Sequence, residues 1–198
     1  MGSRDGRDTK KKLLAHGLAP ETASSLIFPQ PPMLSSQKAA WNGIYLEYHH
    51  QPAYETPEYC YRWHVLGIHI GRPVTIEMQW GRRLVRKSVM DGEVYLFPAN
   101  VRHVIYSDRQ SEFIDLHLEP AMLTRAAFEL LAVDHVEFVP YFATRDPLIQ
   151  QIALALKAEL ESTSSSLAEI RCEHLYAESM ANALFSSFIA TIHRNNNP

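Results

Sequence analysis

Ten histidines are the residues of this chain best suited to chemistry, and the first question they raise is whether three could meet on a metal. Imidazole ligands must converge from one side of the backbone, and a zinc, iron or manganese site takes three or more donors. The stretch Arg62-Trp63-His64-Val65-Leu66-Gly67-Ile68-His69-Ile70 reads as a strand, in which side chains alternate between two faces. His64 and His69 are five residues apart and therefore point to opposite faces. Leu66 stands where a second histidine beside His64 would be needed. His64 and His103 are the pair expected to converge, with Glu77 or His117 as the remaining candidates for a third ligand. Two imidazoles make a poor site, so no metal and no cofactor is expected.

Other catalytic signatures are missing. The sequence has no G-x-x-x-x-G-K-[ST], no G-x-G-x-x-G, no G-x-S-x-G and no H-E-x-x-H. His174 and Glu178, four apart, read as a hydrogen-bonded helical pair. No catalytic residue and no enzymatic activity is expected. Aromatic and hydrogen-bonding material is plentiful: Tyr59, Tyr61, Trp63, Trp80, Tyr95, Phe97 and Tyr106 beside Arg62, His64 and His103. An apolar, aromatic-lined cavity with a few polar groups is how a small-molecule site is built. Arg62, His64, Trp80, Tyr95 and His103 are the predicted ligand-binding residues.

The elements that must position them fall into three zones. Residues 1–40, with Pro29, Pro31, Pro32 and Ser35-Ser36, read as a flexible tail and an extended lead-in; Leu13-Leu14 begins a helical turn that Gly17 and Pro20 end early. Residues 41–118 carry short strands punctuated by Gly71-Arg72-Pro73, Trp80-Gly81-Arg82 and Asp91-Gly92, the pattern of an antiparallel sandwich or barrel. Strands are predicted over 43–49, 62–70, 73–80, 84–89, 93–97, 103–107 and 112–118. In the run from Asp91 to His103, Gly92 and Asn100 suit left-handed turn positions, and Pro98 stops a strand. Residues 119–198 form a helical appendage. A helix covers Ala121–Leu131, a strand Val136–Phe142, and Asp146-Pro147 opens a helix to about Glu161 with Leu148, Ile152, Ala155 and Leu160 as its buried stripe. A last helix runs from Leu167 to His193. Along it Leu167, Ile170, His174, Ala177, Ala181, Leu184 and Phe188 recur at heptad steps, and Ile170, His174, Ala177, Ala181, Leu184 and Phe188 are the predicted dimer interface.

Composition bounds the partners. With 198 residues, 46% hydrophobic and 21% charged, the chain reads as an ordinary soluble protein with a sizeable core. Its net charge is −3 and its pI is near 6.4, which argue against direct nucleic-acid binding. The cluster Arg82, Arg83, Arg86 and Lys87 reads as a solvated hairpin. No apolar run suits a membrane span and the N-terminus does not read as a signal peptide. Cys60 and Cys172 give no disulfide framework and suit a reducing cytoplasm.

The spacing of Gly92, Pro98, Asn100 and His103 resembles the second sequence motif of the cupin barrels, with Asn100 in place of the second glycine and Ser107 in place of the closing asparagine. The first cupin motif, two histidines one residue apart with a nearby glutamate, finds no match in the strand from Arg62. In order, several segments resemble the N-terminal domain of AraC-type transcription regulators. They are Leu34-Ser35-Ser36, Trp41-Asn42-Gly43-Ile44-Tyr45-Leu46-Glu47, Gly92 to His103, Leu116-His117-Leu118-Glu119-Pro120, Asp146-Pro147-Leu148 and His174-Leu175-Tyr176-Ala177-Glu178-Ser179-Met180-Ala181.

The resemblance spans Leu34 to His193. It implies a mainly β fold with added α, a cupin-like (jelly-roll) antiparallel β-barrel followed by a C-terminal antiparallel helix pair. It further implies that the barrel senses a small-molecule effector, that the helices form a homodimer, and that a C-terminal pair of helix-turn-helix motifs reads DNA. This chain stops at Asn195-Asn196-Asn197-Pro198 and offers no two recognition helices on a basic face. The expected function is therefore ligand sensing and dimerisation without its own DNA contact. The competing expectation is a standalone cupin enzyme, a metal-dependent isomerase or oxygenase acting on a small molecule.

Overall fold

The computed structural model describes residues 17–39, 41–133, 138–162 and 175–188. Its strands are β1 (Leu34–Ser35), β2 (Ile44–Gln51), β3 (Tyr54–Glu55), β4 (His64–Ile70), β5 (Val74–Trp80), β6 (Arg83–Val89), β7 (Glu93–Phe97), β8 (Val104–Ser107), β9 (Ser111–Leu118) and β10 (Tyr141–Arg145). Every ladder is antiparallel. β5 and β6 form a hairpin about Gly81, whose φ is +55°. From there the pairing nests outward, β4 with β7, β3 with β8 and β2 with β9. A long hairpin wound on itself in this way gives two sheets, ordered β1-β2-β9-β4-β7-β10 and β3-β8-β5-β6, which is the strand plan of a double-sheet jelly roll.

The expectation of a closed barrel is corrected: among the described residues no ladder joins the two sheets. β1 and β10 are edges of one, β3 and β6 edges of the other. The expected turn chemistry is present, with φ of +74° at Gly92 and +63° at Asn100.

The six-stranded sheet is buried on both faces. One face, carrying Leu46, Leu66, Ile68, Leu96, Ile114 and Leu116, packs on helices α2 (Pro120–Leu131), α3 (Pro147–Glu161) and α4 (175–188). Asp146 caps α3 by accepting hydrogen bonds from the N–H groups of Leu148 and Ile149. The expected stripe of α3 is met in part: Ile152 is buried and Leu160 packs on the core, but Ile149, Ala153 and Leu156 make up the rest of the buried face, while Leu148, at the second helical position, is 55% exposed. Steps of three, one and three residues from Ile149 make one helical face; counting from Leu148 starts on the neighbouring one.

In α4, Ala177, Ala181, Leu184 and Phe188 are all buried against this same sheet-and-helix core. Ile170 and His174 lie outside the described residues. The strand expected over Val136–Phe142 is found at Tyr141–Arg145; residues 134–137 lie outside the description.

The lead-in contains an element the sequence reading passed over. Pro20, at the first helical position where its missing N–H costs nothing, opens α1 (Pro20–Ile27). Ala23, Ile27 and Phe28 are buried with Tyr54, Phe97 and Phe113 in the second core cluster, between the two sheets.

Candidate functional site

β2 alternates in an unusual sense. Ile44 and Leu46 face the helices, so Tyr45, Glu47, His49 and Gln51 must face the space between the sheets. The register of β9 sets His117 opposite Tyr45, Asp115 opposite Glu47 and Phe113 opposite His49. The result is a buried polar wall with two carboxylates on directly opposed residues, an arrangement that repels when both are ionised.

The wall resolves that conflict by treating the two acids differently. Burial raises the pKa of Glu47, but hydrogen bonds and neighbouring histidines outweigh it and hold the carboxyl below its ordinary range. Its oxygens accept from the Tyr45 hydroxyl at 3.0 Å, from His49 Nε2 at 3.1 Å and from the Ser24 hydroxyl on α1. His117 Nε2 stands 3.9 Å away. Burial pushes the His117 pKa down to about 4, against the pull of the Glu47 charge. At neutral pH the ring is uncharged, so the Glu47 carboxylate rests on its three hydrogen bonds.

Asp115 is pushed up to about 6 by burial, with His49 and a bond from Tyr95 working the other way. The Tyr95 hydroxyl donates to Asp115 Oδ1 at 2.8 Å. Gly67 lies between them in the sheet, paired with Tyr95 on one side and Asp115 on the other. A Cβ at Gly67 would sit 1.8 Å from Tyr95 Cζ, so the phenol crosses β4 only because this residue is glycine.

Beside the wall stand polar atoms with no partner among the described residues. Tyr61 OH, His103 Nε2 and both ring nitrogens of His117 are buried and unbonded. The His103 ring stacks on Phe97 at 3.8 Å and meets Tyr59 at 4.3 Å. Its Nδ1 lies 2.8 Å from the Val101 carbonyl, which can only accept, so Nδ1 carries the proton and Nε2 offers a bare lone pair. Each such orphan costs about 1–3 kcal/mol.

The N-terminal segment seals this side of the sandwich at three points. Leu18 bridges Tyr61, Ser24 bonds Glu47, and Gln30 exchanges two bonds with the Gln51 side chain.

Toward the middle of the sandwich lies a cavity of about 20 Å³, lined among others by Tyr54, His69, Tyr95, Phe97, Phe113 and Phe142, with room for about one water. A groove of about 600 Å³ opens between β6 and β10, and Phe142 lines both spaces.

Of the predicted ligand residues, Tyr95 and His103 reach the inter-sheet space and Trp80 lines the groove. Arg62 is exposed, its Nε donating to the Gly17 carbonyl at 2.8 Å. His64 is on the helix-facing side of β4, where Nδ1 accepts from the Ala99 N–H at 3.2 Å and the ring lies 4.6 Å from Phe138. The expected convergence of His64 with His103 is therefore corrected, because the two lie on opposite faces of the sheet. Glu77 pairs with Arg86 at 3.1 Å across the hairpin and brings no third ligand.

Among the described residues no group of three or more His, Cys, Asp and Glu could hold a metal ion. The donor set around His103 is aromatic and does not fit the metal of a cupin. The residues missed by sequence reasoning are Glu47, His49 and Asp115. The signal for the first two was polar residues at every second position from Tyr45 to Gln51, and for Asp115 its place with His117 between Ile114, Leu116 and Leu118.

No family model and no curated protein matches the chain. Solved structures do. A cupin domain from Bordetella pertussis is 15% identical over 38% of this chain and 81% of its own, with a TM-score of 0.34. A cupin superfamily protein from Desulfitobacterium hafniense is 13% identical over 46% of this chain and 80% of its own, with a TM-score of 0.38. Oxalate decarboxylase from Bacillus subtilis is 14% identical over 39% of this chain and 21% of its own, with a TM-score of 0.34. These likenesses are local, and the jelly-roll assignment rests on the strand order above.

Proposed function

We propose that this chain is the ligand-sensing and dimerisation domain of an AraC-type transcription regulator, with a small-molecule effector bound between its sheets and DNA read by another part of the regulator. The observation that carries the reading is the polar wall. A protein interior gains little from Glu47, Asp115, His117, Tyr61 and His103, since buried polar groups are costly when unpaired. A ligand that supplies hydrogen bonds to Tyr61 OH and His103 Nε2 would recover that cost on binding.

α1 couples the site to its surroundings, because Ser24 gives one of the three hydrogen bonds to Glu47. Occupancy of the wall would shift the balance between docked and released α1. Ala177, Ala181, Leu184 and Phe188 face their own core, so a homodimer would use the other side of α4, where Leu175 and Tyr176 are exposed. Among the described residues no helix is long and apolar enough to cross a membrane, which accords with a cytoplasmic regulator.

The test is a thermal-shift screen of small metabolites. Hits should raise Tm in the native protein and lose that effect in Glu47→Gln and Tyr61→Phe. A screen with no hit, or hits indifferent to both variants, would sink the reading.

A second reading, an enzyme acting in the same interior, draws on the opposed acids: Glu47 is held below its ordinary range while Asp115 is pushed up to about 6, and pKa values driven apart in this way are the pairing from which acid and base roles arise. It requires that a hit be recovered chemically altered after incubation with native protein and unaltered after incubation with Asp115→Asn.

A further inference from the structure

The groove between β6 and β10 is an open edge of the sandwich, and its lining is of two kinds. β6 pairs with β5 so that Arg83, Val85, Lys87 and Val89 fall opposite Trp80, Met78, Ile76 and Val74. Met78 and Val74 are buried, which places Arg83, Val85 and Lys87 on the inner side of the hairpin. Trp80, Tyr141 and Phe142 supply aromatic surface to the groove, and Arg82, Arg83 and Lys87 its charge. Arg82 and Arg83 are exposed, and their guanidinium groups have no hydrogen bond or ion pair among the described residues. Lys87 Nζ donates to the Phe142 carbonyl at 3.2 Å, and Phe142 is the side chain shared with the inner cavity. Arg86, one position along, points to the outer face and is paired with Glu77. Three cations thus gather at one mouth of a chain whose net charge is −3.

We infer that this groove is the entrance and anchoring site for a small carboxylate with an apolar, aromatic-sized body. The guanidinium groups of Arg82 and Arg83 would take the carboxylate, for which their planar forks are suited. The body would lie on Trp80 and Tyr141 and point past Phe142 toward the aromatic cavity. Its volume of about 600 Å³ is in the range of ligand sites, about 300–1,000 Å³. Phe142 is placed to yield, since β10 is an edge strand that among the described residues pairs with β7 alone, and its register slips between Phe142 and Thr144. This inference rests on the sensing reading and specifies the effector's chemistry.

The test is isothermal titration of the full chain with 2-naphthoate and with its neutral analogue 2-naphthalenemethanol at about 150 mM salt, where long-range attraction is screened. The expected result is a Kd below about 1 mM for the acid, binding at least about tenfold weaker for the alcohol, and a similar loss in Arg82→Gln/Arg83→Gln. Arg86→Gln removes charge from the other face and should leave affinity within about twofold. Far-UV circular dichroism and Tm of both variants check that the exposed substitutions leave the fold intact.

Equal losses in both variants, equal binding of acid and alcohol, or no binding of the acid would overturn the inference. Failure of the sensing reading looks different. A neutral or cationic hit whose stabilisation ignores Arg82→Gln/Arg83→Gln removes the groove and keeps the sensor. A screen with no hit of any charge removes both.

Discussion

Asp115→Asn probes the wall with the least disturbance, because the amide keeps the shape and can still accept the Tyr95 hydrogen bond. Asp115 in the native state is pushed from 3.8 up to about 6 by burial. A carboxyl with a raised native pKa stabilises the fold fully below its unfolded pKa and loses that contribution as pH rises through the native value. From 3.8 to about 6 the loss is about 3 kcal/mol. The native chain should therefore weaken relative to Asp115→Asn by about 3 kcal/mol between pH 3.5 and pH 7, or about 6–12 °C in Tm for a chain of this size. His64, His103 and His117, each lowered to about 4, impose the opposite slope, but they are present in both proteins and drop out of the difference. Urea denaturation of both proteins at half-unit pH steps measures it. A difference independent of pH, or one that favours the native chain as pH rises, would refute the argument that burial dominates at Asp115.

Gly67→Ala should force Tyr95 off β4, since its Cβ would lie 1.8 Å from the phenol carbon; a loss of about 1–3 kcal/mol is expected in thermal denaturation, relieved in part by adding Tyr95→Leu. Leu184→Asp should destabilise the single chain by about 4 kcal/mol or more, because Leu184 is fully buried in its own core; light scattering that instead shows a folded monomer from a native dimer would return Leu184 to the interface. Asp146→Ala removes the cap that accepts the Leu148 and Ile149 N–H groups and should cost about 1 kcal/mol in urea midpoint terms. The three low-pKa histidines should make native stability fall as pH drops from about 6.5 toward 4, read by near-ultraviolet circular dichroism, and His117→Asn should flatten part of that fall.

Turn chemistry made the jelly roll legible. Gly81, Gly92 and Asn100 hold a positive φ that few other residues adopt, Pro98 follows the end of β7, and the strands between them lie within one or two residues of expectation. Asp146-Pro147 likewise fixed the start of α3. Two-residue β1 and β3 are too short to show a period. α1 was hidden by Pro20, which read as a breaker although it is the first residue of the helix.

The faces of β4 were the harder problem. Six of its seven residues are buried, and a strand covered on both sides carries no alternation from which to tell inside from outside. Only its register with β9, which sets Gly67 beside Asp115 and His64 beside Leu118, shows that His64 belongs with the helices. β2 did carry the information. Its polar residues alternate with Ile44 and Leu46, but polar-in and apolar-out is the reverse of the usual sense, because the helices and not the second sheet take up the apolar face.

An effector read at the wall of Glu47, His117, Tyr61 and His103 must disturb the two histidine rings there. Long-range proton–nitrogen spectra of the histidine rings, recorded with and without a compound that raises Tm, test it most directly. His103 Nε2 and His117 should move on binding, while half-buried His50, on the opposite face of β2, should not. Ring signals of His103 and His117 that stay in place for every stabilising compound would contradict it.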